Sequence, residues 1–110
     1  MDMKWTVETL DHRVDAELNS LPIDLRVSFA RISELIEAYG PMNVGMPHVR
    51  SLGNKLWEMR LHGADGIARA IYVTAARQRV VVVHVFVKKT QETPAGALKL
   101  ARRRAKEVKP

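Results

Sequence analysis

Val80-Val-Val-Val-His-Val-Phe-Val-Lys-Lys-Thr-Gln-Glu-Thr-Pro94 is a run of β-branched residues that empties into two lysines and then into a helix start. Such side chains are stiff at χ1 and pack well on a pleated surface, so Arg79 to Lys88 is predicted to be a long, buried strand. Burial does not ask for paired ammonium groups at its end. Lys88 and Lys89 are either a solvated strand terminus or a phosphate site held by a rigid sheet.

Upstream of this strand the period-2 signal recurs. Leu56 to Leu61 alternates, with Trp57, Met59 and Leu61 on one face and Glu58 and Arg60 on the other. His62-Gly63-Ala64-Asp65-Gly66 is a turn, Ile67 to Thr74 forms the next strand, and Ala75 to Gln78 turns again. Three strands joined by short turns form an antiparallel meander. At the N-terminus, Trp5 to Thr9 reads as a short first strand. Asp11 caps a helix burying Leu10, Val14 and Leu18, and Pro22 opens a second carrying Leu25, Phe29, Ile32, Leu35, Ile36 and Tyr39. Gly40-Pro41 ends that helix. Pro41 to Asn54 lacks any period and reads as a loop. The last helix starts at Thr93-Pro94, with Ala97, Leu98, Ala101, Ala105 and Val108 inward and Lys99, Arg102, Arg103, Arg104, Lys106 and Lys109 outward. The expected fold is α+β, ordered β-α-α-β-β-β-α, with an antiparallel sheet, an N-terminal αα-hairpin and a basic C-terminal helix.

The 110 residues make one domain, residues 1–110, with a single modest core. No apolar run approaches the ~20 residues needed to span a bilayer, and Met1-Asp2-Met3-Lys4 leads into no secretory segment. A cytoplasmic protein with no membrane partner is expected. The absence of cysteine excludes disulfides, thiolate metal sites and a Cys nucleophile. His12, His48, His62 and His84 show no ligand spacing, so neither a metal nor a cofactor is expected.

Net charge is +6, unevenly distributed. The first forty residues carry eight acids and four bases, a net −4, which leaves +10 on the remainder. A mildly acidic helical layer against a strongly basic one is the electrostatic footprint of a polyanion partner. The alternative is a basic surface that binds nothing.

Within the basic part, Arg69 stands between Ala68 and Ala70, small residues that leave its guanidinium room. It is either a cross-strand partner of Glu58 or a planar fork for phosphate. His84, Phe86 and Lys88 fall on one strand face, opposite Val83, Val85 and Val87. This set is suited to a flipped-out base and its phosphate, although a histidine or phenylalanine in such a strand is more often core. The cations of the last helix, Arg102 and Arg103 among them, are a solvated face or one side of a basic groove that steers a polyanion.

Leu56-Trp57-Glu58-Met59-Arg60, Arg69-Ala70-Ile71-Tyr72 and Val85-Phe86-Val87-Lys88-Lys89-Thr90-Gln91-Glu92-Thr93-Pro94 together resemble the phage-derived HigB-like branch of the RelE toxin superfamily. The resemblance extends over most of the chain, including the element order and the Gly40-Pro41 loop. It implies a type II toxin, a small ribosome-dependent endoribonuclease that cleaves translated mRNA and is silenced by a helix-turn-helix antitoxin of the HigA/Xre-like kind. It implies further that Arg69 contacts the scissile phosphate, that Lys88, Lys89 and Arg60 complete a catalytic basic site, and that Glu58 orients Arg60 or Arg69. Many RelE relatives carry a base-stacking tyrosine in or just before the last helix. This chain has no aromatic after Phe86, which leaves His62, His84 and Phe86 as candidate RNA contacts. The chemistry implied is attack of a ribose 2′-OH on the adjacent phosphate without a metal, the fixed cations stabilising the phosphorane. A toxin-like protein that binds antitoxin or RNA without cleaving is the competing reading. A DNA-binding protein, supported by charge alone, is the third.

Overall fold

A computed structural model describes residues 4–89 and 92–110. The elements are β1 (Thr6–Thr9), α1 (His12–Asn19), α2 (Ile23–Tyr39), a 3-10 turn (Pro41–Asn43), β2 (Val49–Gly53), β3 (Leu56–His62), β4 (Ile67–Ala75), β5 (Arg79–Lys88) and α3 (Ala95–Ala105). The strands form one sheet in the order β1-β5-β4-β3-β2. β2 to β5 pair antiparallel, and β1 joins β5 in parallel. No helix among the described residues is long and apolar enough to cross a membrane.

Two apolar clusters lie on opposite faces of this sheet. Val80, Val82 and Val85 of β5 pack with Met59, Leu61, Ala68, Ala70 and Tyr72 beneath α1 and α2, which contribute Val14, Leu25, Ile32 and Ile36. On the other face Ile71, Val83 and Leu56 meet Ala101 and Leu98 of α3. Central strands buried on both faces need the continuous valine run that β5 carries.

The alternation expected for β5 breaks at one place. Ile71 pairs with His84 but Tyr72 pairs with Val82, leaving Val83 as the extra residue of a β-bulge. Val83 therefore lies on the α3 side, away from Val85. Ala68 and Ala70 likewise face α1 and α2, so their small size accommodates those helices and makes no room for Arg69. Tyr39, placed on the apolar stripe of the second helix by its spacing, is exposed.

The segment Pro41 to Asn54 is not wholly a loop, because it contains β2. This is a five-residue edge strand pairing Val49 with Met59, Arg50 with Glu58 and Ser51 with Trp57. An edge strand half open to solvent needs no apolar alternation, and this one has little. Its signature was the turn that follows: Asn54 and Lys55 both adopt positive φ, 52° and 66°, as a two-residue type I′ hairpin requires.

Acids of the mildly acidic αα-hairpin bond backbone groups of the sheet and its turns. Glu37 Oε2 accepts from Val7 N on β1 at 2.9 Å, and Asp24 Oδ2 accepts from Ala64 N at 2.6 Å. Past Thr9, where β1 stops pairing, Glu17 Oε1 accepts from Val85 N at 3.0 Å and Arg104 Nη1 donates to the Val83 carbonyl at 2.9 Å. Side chains thus satisfy backbone groups that a longer β1 would have paired, which blunts an open edge. Asp11 caps α1 as expected, accepting from Arg13 N at 2.9 Å. The Arg13 side chain, bonded to the same carboxylate, holds the Asp11 pKa down at about 2.

Tyr72 is fully buried, yet its hydroxyl has no hydrogen-bond partner among the described residues. Burial pushes its pKa well above the usual tyrosine range. A buried hydroxyl left without a partner is a net cost, so Tyr72→Phe should raise stability by about 1 kcal/mol. The check is urea unfolding, with a higher midpoint at unchanged slope.

Candidate functional site

Residues directly opposite one another in an antiparallel pair share a face. Three rungs therefore define the α3 side of the sheet. They are Arg50, Glu58, Ile71 and His84; Arg60, Arg69 and Phe86; and His62, Ile67 and Lys88. Strand register alone gathers Glu58, Arg60, Arg69 and Lys88 from three strands at the end of the sheet where β5 terminates.

At the centre is an ion pair. Glu58 is 0%, Arg69 2% and Lys88 7% exposed. Arg69 Nε lies 3.5 Å from Glu58 Oε2, its Nη1 donates to the Ala68 carbonyl at 3.0 Å, and Thr93 Oγ1 donates to Glu58 Oε2 at 3.4 Å. Glu58 Oε1 is buried without a hydrogen bond among the described residues. The expected cross-strand pair is thus a diagonal one, shut away from water, with Thr93 reaching it from the residue before the N-cap of α3.

Burial lowers the Arg69 pKa, Glu58 opposes that shift, and Arg60 and Arg50 add to it. Lys88 is also lowered, first by burial and then by Arg69, with Glu58 opposing and Arg60 and Arg50 reinforcing. Both shifts follow from placing several cations around one carboxylate at low water exposure. The result is a positive site in which Lys88 gives up its proton more readily than an ordinary lysine.

The remaining expected residues divide. Arg60 is partly exposed, its Nη1 3.6 Å from the sulfur of Met46, and Lys89 is exposed at the end of β5. His62 is exposed at the end of β3, on the rung of Lys88. Phe86 is half-buried and stacks on His84, centroids 5.1 Å apart. His84 Nδ1 is 3.0 Å from Glu17 Oε1, within the contacts that seal the β5 edge, which is the structural role ordinary for a histidine in an apolar strand. Arg102 and Arg103 are exposed on α3, and Arg102 lines a cleft toward the opposite end of the sheet. Arg104, expected on the outer face, is 7% exposed and donates to both oxygens of Glu17 at 3.0 and 2.9 Å. The residues 90 and 91 of the Lys-Lys-Thr-Gln phrase lie outside the described residues.

Arg50 and Thr93 were not singled out by the sequence. Arg50 lies in a strand that lacks apolar alternation, and the Asn54-Lys55 hairpin turn is the signal in the sequence that marks this strand. Thr93 was read only as a helix start.

A fold of this geometry has known counterparts. Residues 16–106 match the family described as "Phage derived protein Gp49-like (DUF891)", and the chain belongs to that family. Among solved structures it is similar to a chain of the archaeal RelE–RelB complex from Pyrococcus horikoshii OT3. That likeness has a TM-score of 0.56 at 22% identity and covers 77% of this chain and 96% of the other. The chain thus has a RelE-like fold. A search of curated proteins gave no match.

Proposed function

We propose that this protein is the toxin of a type II toxin–antitoxin pair, of the HigB-like kind, acting as a ribosome-dependent endoribonuclease on translated mRNA. The observation that carries this reading is the buried Glu58–Arg69 pair with Lys88 beside it and Arg60 at its margin. Gathering cations around one enclosed carboxylate is poor engineering for stability, because desolvation takes back most of the Coulomb gain. It is good engineering for phosphoryl chemistry, because preorganised cations in a water-poor site stabilise developing negative charge most strongly. Membership of the Gp49-like family and the RelE-like fold support the same reading.

Each group has a role in the proposed reaction. Arg60 and Lys89, which reach solvent, meet the phosphates of the message. Lys88, its pKa lowered, accepts the proton of the 2′-OH as that oxygen attacks the adjacent phosphate; the P–O5′ bond breaks and the departing 5′-oxygen takes a proton from water, giving a 2′,3′-cyclic phosphate and a 5′-OH end. Arg69 is enclosed, so its part is changed from the direct contact that the resemblance implied. It offsets phosphorane charge from below the surface, where its field is little screened, and Glu58 and Thr93 hold it there. His62 and Phe86 border the site as RNA contacts, and Arg102 and Arg103 steer the polyanion. The partner that silences the protein is a helix-turn-helix antitoxin.

Growth arrest on induction tests this reading, and Lys88→Ala should abolish it while leaving a folded protein. In a reconstituted translation system the cleavage rate should rise with pH, by up to about tenfold per unit while Lys88 remains mostly protonated. Arrest at wild-type strength in Lys88→Ala would contradict the role given to this lysine. The competing reading, a toxin-like protein that binds without cleaving, is favoured by one observation. Among the described residues Glu58 and His84, a carboxylate and the more buried histidine of this face, are both engaged in structural contacts.

A further inference from the structure

Leu56, Val73 and Val108 form the aliphatic floor of an open cleft of about 650 Å³ between α3 and the ends of β3 and β4, and Lys55, Arg102 and Lys106 stand around it. Arg69 and Ala75 are six residues apart on β4, roughly 20 Å of extended chain, so this cleft is separate from the cation cluster. We infer that it is the docking site for an acidic amphipathic segment of a partner protein, with aliphatic side chains on the floor and carboxylates on the rim.

Charge and surface chemistry together choose this occupant. Among the described residues no acidic side chain lines the cleft, so a carboxylate-bearing chain meets cationic side chains there. RNA would also find the cations, but among the described residues no aromatic lines the cleft on which a base would stack, and phosphates would leave the floor wet. An exposed apolar concavity rimmed by polar groups marks a protein-binding surface, and helix-in-groove recognition uses such a floor. The inference deepens the partner half of the proposed function and rests on it only for the partner's identity. The binding itself is read without any RNA cleavage, so failure of one does not imply failure of the other.

The test is titration of the ¹⁵N-labelled full chain with a synthetic acidic peptide of three Glu/Ala/Leu heptads whose leucines share one face. The expected result is amide shifts concentrated at Leu56, Val73 and Val108. Binding should weaken about tenfold or more, a loss of 1.4 kcal/mol, in Lys106→Glu, in Val73→Glu, and for a scrambled peptide of the same composition. Lys106 is exposed, so its variant keeps the test sound if Val73→Glu fails to fold. Equal affinity for the scrambled peptide would overturn the inference. So would oligouridine shifting the same amides at lower concentration, which would make the cleft a nucleic-acid groove.

Discussion

Arg69→Ala should leave a protein that neither arrests growth nor keeps its stability. The guanidinium is enclosed with Glu58, and removing it takes from a fully buried carboxylate the ion-pair partner it has among the described residues. Breaking a buried pair by removing one partner costs about 3–5 kcal/mol. That is a large share of the roughly 5–15 kcal/mol that holds a domain of this size together. Loss of activity in this variant alone would therefore say little. The informative companion is Arg69→Met with Glu58→Gln, which removes both charges at similar volume and should bring the urea midpoint back near the wild-type value. The account expects that double variant to be folded and still harmless. A double variant that folds and arrests growth would show the pair to be structural only.

Glu17→Ala should be the second costly substitution, although nothing in its sequence context marks it. One carboxylate bonds Arg104 from α3, Val85 N from β5 and the His84 ring. Without it Arg104 is a buried cation left with the Val83 carbonyl, and the β5 edge is open. The expected loss is about 3 kcal/mol, the lower end for a broken buried pair because the Glu17 side chain is 23% exposed. Amide exchange in α3 should accelerate as the helix loses its tie to the sheet. Glu8→Ala, which removes a more exposed pairing with Arg79, should cost less than about 1 kcal/mol. Equal losses in the two variants would contradict the distinction between a sealing network and a surface pair.

These two sites show what could be read in the chain and what could not. The three central strands were legible because valine runs and alternation are the direct imprint of burial. Once those strands were placed, the register put Glu58, Arg60, Arg69 and Lys88 on one face. Three things were not legible. Edge strands such as β2 carry little apolar pattern, because one side of each faces water, and Arg50 was lost with it. Long-range partners of charged residues leave no local trace: Glu17 and Arg104 looked like members of solvated helix faces, yet a shortened β1 draws both to the open edge of β5. The bulge at Val83 was hidden for a related reason, since four consecutive valines look the same with or without an extra residue.

The most direct measurement is primer extension on a translated message after induction of the wild-type protein and of the Arg69→Met, Glu58→Gln variant. The account predicts discrete cleavage within the translated region, with 5′-OH ends, for the wild type and an intact message for the variant. An intact message with the wild-type protein, while growth still arrests, would contradict it.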